Sequence, residues 1–397
     1  MLSRTNAATE IIAHNEDILA EILIYVPAKP LLCFKCVSRR WLSLISNPHF
    51  CRRHQQHHYR RTSLSGIFLR RRIPSHFQFV PLDGTHSAPP LRSLDFFSDN
   101  SGFFPSPSGA KILQSCNGLF LCRSLDKKSA DQRHSYYVCN PTTKQFSQLP
   151  FLDTDGPCTI FGLSLAFEPS KSPYYQVVCV RSTAVSLYFY QIEIFSSETR
   201  AWRPCGSPFV APYDMVFDYG VFWNGAVHWL SPSGAARCFY IGNEVLGTMP
   251  SPPGSEARGT RRFRYFGESG GRLHLIEVYG ARTTQFKVFE MATNYSGWFV
   301  KYEADIRGIV ASYPEMIRDF LDPRDSCYFA FAIISVLRKD EEAELLLHVP
   351  GKIVSYNLRD KSFKQLCDLR PNPNETRSSL QFGWLDAYPY METLACV

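Results

Sequence analysis

Two cysteines near the N-terminus have a spacing at which thiols can bind a metal ion or exchange electrons. Cys33 and Cys36 are separated by two residues, the spacing of half a zinc site or of a redox pair. No second pair of Cys or His residues follows at zinc-finger spacing. We therefore expect two small, buried apolar side chains on a helix instead of a metal or redox site.

A second group, Cys51, His54, His57 and His58, has a spacing that can place side chains on one face of a helix. Such a group could supply metal ligands. The polar residues around it favour the solvated end of a helix instead. We predict no metal and no cofactor.

The rest of the chain has no motif for enzyme chemistry. It lacks a phosphate-binding loop, a dinucleotide-binding fingerprint, a nucleophile elbow and a zinc-protease motif. His228 and His274 occupy equivalent places in a repeat described below, and a shared hydrogen bond on a strand face explains them better than catalysis does. A hydrolase would need a pair of carboxylates, and the sequence singles out no such pair. We predict a protein that is not an enzyme.

Arginine clusters are the strongest indication of nucleic-acid binding. They are Arg52-Arg53, Arg60-Arg61 and Arg70-Arg71-Arg72. The formal net charge of +7 is uneven: residues 1–72 hold 12 basic and 4 acidic side chains, a net +8, which leaves 31 basic and 32 acidic side chains, a net −1, for residues 73–397. The chain is thus no uniformly basic nucleic-acid binder, and a solvated junction or an acidic protein partner fits the clusters better.

The composition is that of an ordinary globular protein, with 45% apolar and 20% charged residues. The 13 cysteines have no disulfide-framework spacing, and the first thirty residues lack the pattern of a secretory leader. The longest apolar run, from Cys327 to Leu337, is too short to cross a bilayer, which takes about 20 residues. We expect a protein of the cytoplasm, the nucleus or both, without a membrane partner.

The first sixty residues have the pattern of three short amphipathic helices. Asn15 is the predicted N-cap of the first helix, and Pro27 ends it. A second helix begins near Pro30, and Ser38 caps a third that Asn47-Pro48 ends. Because so small a unit cannot bury its own apolar stripe, we expect it to rest against another surface.

From Gly66 onward, short alternating strands with Gly, Pro and Asn between them indicate an all-β domain. A tight turn recurs before a strand, as Asn117-Gly118, Asn224-Gly225 and Gly270-Gly271. A strand end followed by a large apolar anchor also recurs, with the anchors Phe146, Trp202, Leu246, Trp298 and Phe363. Their mean spacing, (363 − 146)/4 or about 54 residues, is typical of propeller blades, and residues 66–397 would hold about six of them. Seven blades would fit if residues 66–110 contain more strands than their pattern shows.

The helical part resembles the F-box, the adaptor-binding motif of cullin–RING ubiquitin ligases. Residues 16–50 have its acidic start, its central proline and its Val, Trp and Pro-x-Phe positions in register. The string Asn117-Gly118-Leu119, followed by residues 137–144 (YVCNPTTK), is similar to the F-box-associated, kelch-like propeller of the large plant F-box family. The terminal residues 388–394 (YPYMETL) resemble its closing strand.

The resemblance implies two domains, an F-box over residues 10–58 and a propeller over residues 66–397. The F-box would bind a Skp-type adaptor and through it a cullin, and the propeller would bind the protein to be ubiquitinated. The adaptor-binding residues that it implies are Ile18, Leu19, Ile22, Leu23, Pro27, Leu31, Leu32, Val37 and Trp41.

The sequence indicates the substrate-binding surface less clearly than the adaptor-binding surface. Propellers usually bind through loops near the central channel, and aromatic and arginine side chains are natural anchors. On these grounds the candidates are Tyr213, Tyr219, Trp223, Arg261, Arg262, Arg264, Tyr265 and Trp384. Packing between blades is the alternative for every aromatic residue among them.

One departure from the family pattern bears on adaptor binding. The family usually opens its F-box with Leu-Pro, where this sequence has His14 and Asn15. The change removes an apolar contact and a rigid turn at the edge of the interface, so we expect weaker adaptor binding and not its loss. It also keeps open a second hypothesis, an F-box/propeller scaffold or inhibitor that does not drive ubiquitination.

Overall fold

A computed structural model describes residues 15–59, 64–70, 77–82, 110–127, 134–152, 158–183, 189–251, 261–280, 282–339, 342–369 and 378–397. Its helices are α1 (Glu16–Leu23), α2 (Ala28–Phe34), α3 (Arg39–Ser46), α4 (Pro48–Tyr59) and the short α5 (Arg307–Ser312). Strands occupy the chain from Gly66 onward. The predicted fold class, a small all-α domain followed by an all-β propeller, is confirmed.

Two of the N-terminal helices, α1 and α3, begin where the sequence predicts. The Asn15 side-chain oxygen accepts hydrogen bonds from the backbone N–H groups of Asp17 at 3.0 Å and Ile18 at 3.2 Å. The Ser38 hydroxyl oxygen likewise accepts from the backbone N–H of Trp41 at 3.2 Å. The expected number of three helices is wrong, because Pro48 ends α3 and also begins α4, as a proline at a first helical position can.

The strands form six sheets around a central channel. The sheet that holds both ends of the β domain contains β1 (Gly66–Arg70), β2 (Phe77–Pro81) and β23 (Ala387–Tyr390). The first four-stranded blade contains β3 (Ala110–Cys116), β4 (Leu119–Lys127), β5 (His134–Asn140) and β6 (Gln145–Gln148). The second contains β7 (Ile160–Ala166), β8 (Gln176–Ser182), β9 (Tyr190–Ser196) and β10 (Ala201–Phe209).

Three further four-stranded blades complete the ring. The third blade contains β11 (Val221–Trp223), β12 (Ala226–Leu230), β13 (Ala236–Tyr240) and β14 (Val245–Thr248). The fourth contains β15 (Arg261–Ser269), β16 (Arg272–Tyr279), β17 (Gln285–Met291) and β18 (Trp298–Asp305). The fifth contains β19 (Ala332–Lys339), β20 (Glu342–Val349), β21 (Lys352–Asn357) and β22 (Phe363–Asp368).

The sixth blade closes the propeller by joining the two ends of the domain. β23 pairs with β1 in antiparallel register, Gly66 opposite Tyr390 and Phe68 opposite Tyr388. β23 also contacts β3, the inner strand of the first blade, so the ring of inner strands is continuous. The last strand of the chain is therefore required to complete the domain. Six blades agree with the period of the sequence repeat.

The two sequence repeats correspond to two kinds of hairpin within the four-stranded blades. The tight turns join the inner strand to the second strand, and Asn117, Gly118, Asn224 and Gly225 have the positive φ angles that such turns require. The apolar anchors lie on the fourth strand, opposite residues of the third strand. Phe146 lies opposite Cys139, and Trp202 lies opposite Phe195. In the fourth blade the longer spacing pairs Trp298 with Met291.

The strand directions define two faces of the propeller. We call the side at which the inner strands begin the upper face, and the side at which they end the lower face. The tight turns and the tail after β23 lie at the lower face, because each follows the end of an inner strand. The segments that lead into the next inner strand, such as residues 210–220 and 306–331, end at the upper face.

The F-box rests on the lower face through the C-terminal tail, residues 391–397. Leu394 is buried among Leu23, Leu31 and Ile45 of the helices. Lys29 Nζ lies 2.5 Å from Glu392 Oε1. The expectation that the helical unit rests against another surface is thus confirmed, and the surface belongs to the same chain.

Candidate adaptor-binding and substrate-binding surfaces

The F-box helices separate apolar side chains into a buried set and an exposed set. Leu19, Leu23 and Leu31 are buried in the core that the helices share with the C-terminal tail. Leu32 and Trp41 are half-buried at its margin. Of the residues implied for adaptor binding, these five hold the helices together, and the three leucines have almost no surface to offer a partner.

The exposed set forms the candidate adaptor surface. Of the implied residues, Ile18, Ile22, Val37 and Pro27 are exposed, Val37 by 60%. Sequence reasoning missed Tyr25 and Leu42, which are also large, apolar and exposed. We call the set Ile18, Ile22, Tyr25, Pro27, Val37 and Leu42 the F-box patch. So many exposed apolar side chains on a small helical domain are typical of a protein–protein interface.

The start of the F-box departs from the family pattern without leaving an uncapped helix. His14 lies outside the described residues. Asn15 satisfies two of the free N–H groups at the start of α1, and Arg40 donates to Glu16 in the first turn at 3.1 Å. The helix that carries Ile18 and Ile22 is therefore fixed at its N-terminal end even without Leu-Pro.

Two histidines of α4 lie against backbone carbonyl groups at and just after the end of α1. His54 Nε2 lies 2.7 Å from the carbonyl oxygen of Val26, and His58 Nε2 lies 2.9 Å from that of Ile24. Ile24 is the C-cap of α1, and carbonyl groups at the end of a helix lack partners within the helix. Burial lowers the pKa of His54 to about 4. The expected solvated helix end is wrong for His54, which is buried, because α4 packs across α1.

The two cysteines at metal-site spacing, Cys33 and Cys36, do not lie where the sequence predicts. Cys33 and Cys36 are exposed, and Cys36 lies beyond the end of α2, so the prediction that both are buried on one helix is wrong. No group of three or more potential metal ligands occurs among the residues that the structure describes. In the same residues, no helix is both long and apolar enough to span a membrane.

The two repeat histidines share a position but not a role. His228 Nδ1 lies 3.1 Å from the carbonyl oxygen of Val221, and its Nε2 lies 2.9 Å from the Tyr295 hydroxyl. This confirms the predicted strand-face hydrogen bond for His228. His274 is buried with its Nε2 3.8 Å from Glu290 Oε2, at the edge of contact. Burial lowers the pKa of both histidines to about 4, so both are neutral at pH 7.

Asn140, within the propeller string of the sequence, holds the C-terminal tail. Its buried amide nitrogen donates to the carbonyl oxygens of Thr393 at 3.1 Å and Ala395 at 2.8 Å. The Thr142 hydroxyl oxygen accepts from the backbone N–H of Thr393 at 3.1 Å. These contacts fix the segment on which the F-box rests. The string therefore positions the candidate adaptor surface relative to the propeller.

The candidate substrate residues divide between the upper face and the interior. Tyr213 is 97% exposed and Tyr219 is 44% exposed, and both precede β11 at the upper face. Trp384 is half-buried before β23 at the same face. Trp223 and Tyr265 are buried, Trp223 at the lower end of β11 and Tyr265 within β15. For these two aromatics the structure shows packing between blades and no accessible surface.

The arginine candidates near β15 join two blades. Arg264 donates to the carbonyl oxygen of Ser231 at 2.6 Å and, through Nε, to Glu277 at 2.8 Å. Arg261 donates to the carbonyl oxygen of Pro232 at 2.8 Å and is partly exposed. The side chain of Arg262 lies outside the part of the chain that the structure describes. Arg264 is therefore occupied within the fold, and Arg261 keeps some surface.

An aromatic cluster and several charges surround the upper mouth of the channel. The Trp384 ring lies 6.2 Å from Tyr219 and 6.0 Å from Tyr265, measured between centroids. Arg70 donates to Asp386 with a shortest distance of 2.6 Å. Lys111 of β3 lies directly opposite Arg123 of β4. Sequence reasoning missed these charges because residues distant in the chain meet only where the inner strands begin.

Exposed apolar residues also lie on the segments that end at the upper face. Val210, Tyr213, Val216 and Tyr219 follow one another at three-residue intervals between β10 and β11. Ile317 and Phe320, the latter 67% exposed, lie between β18 and β19. The molecule thus offers apolar surface on the F-box at one side and on the upper face at the other.

These features define a class of protein, a six-bladed propeller with a helical domain on its lower face. A family model described as F-box domain matches residues 14–53, and one described as KIB1-4 beta-propeller matches residues 94–304. The chain is 34% identical to the F-box protein At5g07610 of Arabidopsis thaliana over 99% of this chain and 94% of that protein. It is 24% identical to the F-box protein At5g49610 of the same plant over 96% of each chain.

The chain belongs to the F-box proteins that carry a KIB1-4 beta-propeller. F-box domains in general bind Skp1-type adaptors. An F-box joined to a propeller supports, in general terms, the role of a substrate receptor in Skp–cullin–F-box ubiquitin ligases.

Proposed function

We propose that this protein is the non-catalytic substrate-recognition subunit of a Skp–cullin–F-box ubiquitin ligase. Its F-box patch binds the Skp-type adaptor, and the upper face of its propeller binds the protein to be ubiquitinated. The adaptor connects the chain to a cullin. The receptor contributes the high effective concentration of a bound protein near the ubiquitin-carrying enzyme, and no chemistry of its own.

The observation that carries the proposal is the position of the two exposed apolar surfaces. The F-box is held on the lower face by the tail, with Val37 and Ile22 exposed. Tyr213 and Phe320 belong to segments that end at the opposite face. An adaptor on the F-box patch would therefore leave the upper face free for a second protein.

A pair of matched valines tests adaptor binding. Val37 is 60% exposed on the F-box, and Val245 is 50% exposed on the propeller. Val37→Asp places a charge in the proposed apolar interface, and we expect it to weaken co-purification with a Skp-type adaptor by about tenfold or more. Val245→Asp adds the same charge outside the interface and should leave binding unchanged.

Isothermal titration of purified adaptor into each full-length variant measures the effect. Equal affinities of Val37→Asp and Val245→Asp would contradict the assignment of the F-box patch. Failure of the unaltered chain to bind the adaptor would contradict the receptor role itself.

A further inference from the structure

Three cations and two carboxylates surround the channel mouth on the upper face. The cations are Arg70, Lys111 and Arg123, and the carboxylates are Asp218 and Asp386. Their formal charges sum to 3 − 2 = +1. The Arg70–Asp386 pair, with both side chains 27% exposed, neutralises one charge of each sign. Lys111, Arg123 and Asp218 remain.

Lys111 and Arg123 form an unfavourable pair within the fold. They lie directly opposite each other on β3 and β4, and like charges in that position repel. Among the described residues, neither has a carboxylate oxygen within 4.0 Å. Burial and the charges of Arg70 and Arg123 lower the pKa of Lys111. The two cations are thus held together without a directly bound counter-charge.

One donor of this pair is buried and unsatisfied. The Arg123 Nε atom is inaccessible to solvent and has no hydrogen-bond partner among the described residues. A buried donor without a partner destabilises a fold, and such groups are usually explained by a ligand, an ion or a functional role. Asp218 acts on both cations from a greater distance and is itself exposed.

Aromatic side chains adjoin the charges. Tyr219 directly follows Asp218, is 44% exposed and contacts the Trp384 ring. Trp384 lies two residues before Asp386, the partner of Arg70. A ligand at the mouth would therefore meet positive charge and an aromatic surface side by side.

We propose that the upper mouth of the channel binds a segment of the recruited protein that presents an anionic group next to an apolar side chain. The anion lies between Lys111 and Arg123, and the apolar side chain of the segment packs on Tyr219 and Trp384. The anion is a carboxylate or a phosphate, which share the geometry of acceptor oxygens. This inference rests on the proposed function and names the chemistry that the substrate presents. Within the part of the chain that the structure describes, these cations form one spot and no continuous stripe, so a peptide fits better than a nucleic acid.

The test uses the full-length chain in complex with its adaptor and a short fluorescein-labelled peptide, Gly-Ser-Glu-Trp-Glu-Ser-Gly. A second peptide has Gln in place of each Glu, and a third has phosphoserine in place of each Glu. Fluorescence anisotropy should show binding of the Glu or the phosphoserine peptide at least about tenfold tighter than that of the Gln peptide. Which of the two anionic peptides binds tighter identifies the source of the anion.

Variants localise the binding. Lys111→Gln and Arg123→Gln should each weaken binding of the better anionic peptide by about tenfold. The matched control, Arg324→Gln, removes an exposed cation from another segment that ends at the upper face and should have no effect. Asp218→Asn removes a competing negative charge and should strengthen binding. Because a variant that fails to fold cannot bind the peptide more tightly, tighter binding by Asp218→Asn would show that a charge change at the mouth acts on the binding site and not on folding.

Three outcomes would overturn the inference. One is binding of the Gln peptide that is as tight as that of both anionic peptides, and another is unchanged binding in Lys111→Gln and Arg123→Gln. The third is a labelled oligouridylate that binds tighter than every peptide and is lost in the same variants, which would assign the site to nucleic acid. In each case an intact complex with the adaptor would leave the proposed receptor function standing.

Discussion

At the scale of single residues, Gly220 shows how closely the blades pack where an inner strand begins. A Cβ atom at Gly220 would lie 2.2 Å from Ser164 Oγ and 2.7 Å from Trp229 Nε1. Both of these side chains are buried. Gly220→Ala must displace packed groups of two blades, and we expect it to lower the free energy of unfolding by about 1–3 kcal/mol.

Gly242→Ala is the control for this substitution. Gly242 lies in the turn between β13 and β14, and a Cβ atom there would have no neighbour within 4 Å. The free energy of unfolding of the Gly242→Ala variant should differ from that of the unaltered chain by less than about 0.5 kcal/mol. Urea denaturation of the two variants measures both values. Similar losses of unfolding free energy in Gly220→Ala and Gly242→Ala would show that close packing at Gly220 does not determine the stability of the fold.

Single residues were predictable where their partners are close in sequence. Asn15 and Ser38 cap helices through backbone groups two or three positions away, so the local pattern is sufficient. The residue type of Trp223 and Tyr265 predicts contact with a substrate, yet both side chains are buried. Exposure depends on which strand face meets the neighbouring blade, and only the tertiary structure settles that.

At the scale of elements, the tail connects the propeller to the F-box, and Asn140 is the residue that fixes it. Asn140→Ala would leave the carbonyl oxygens of Thr393 and Ala395 without their donor. We expect a loss of about 1–3 kcal/mol in the free energy of unfolding and faster amide exchange in residues 391–397 and α1 to α4.

The fifth blade offers a matched control for Asn140. The Asn357 side-chain oxygen accepts from the backbone N–H groups of Arg359 and Asp360, the same turn that Asn140 makes with Thr142 and Thr143. Asn357→Ala should therefore lose the turn but leave amide exchange in the F-box unchanged. Equal acceleration in the two variants, measured by hydrogen exchange with mass spectrometry, would argue against the tail as the connection.

The elements themselves followed from the sequence more fully than their contacts did. The Asn-Gly turns and the apolar anchors gave the hairpins of the blades because their signals are local. The sequence pattern did not reveal that α4 crosses α1 through His54 and His58. It also did not show that the tail after β23 enters the F-box core, since Leu394 and Leu31 are far apart in the chain.

At the scale of the whole molecule, buried histidines make stability depend on pH. His54, His228 and His274 have pKa values of about 4, and their ordinary value is 6.5. Below pH 6.5 the unfolded chain binds protons at these positions while the folded chain does not. Their stabilising effect is complete above pH 6.5 and decreases between pH 6.5 and 4, by about 1 kcal/mol per histidine at pH 5.5.

A histidine variant isolates this effect from other titrating groups. Burial raises the pKa of Glu268 to about 7, which acts in the opposite direction. His54→Gln should therefore be compared with the unaltered chain, and the loss of stability between pH 7.5 and 5.5 should be smaller by about 1 kcal/mol. His49→Gln, at an exposed histidine, should leave the loss unchanged. Denaturation curves with identical pH dependence in all three proteins would contradict the prediction.

We propose that the molecule joins a ligase at its F-box to a protein at its upper face. The most direct measurement is the lifetime of the proteins that proximity labelling detects around the intact chain under proteasome inhibition. The control is the Ile22→Asp, Val37→Asp double variant, which keeps the propeller but loses the F-box patch. We predict that at least one protein is labelled by both chains and lives longer with the variant. Unchanged lifetimes of every labelled protein would contradict the receptor role and favour a scaffold or an inhibitor.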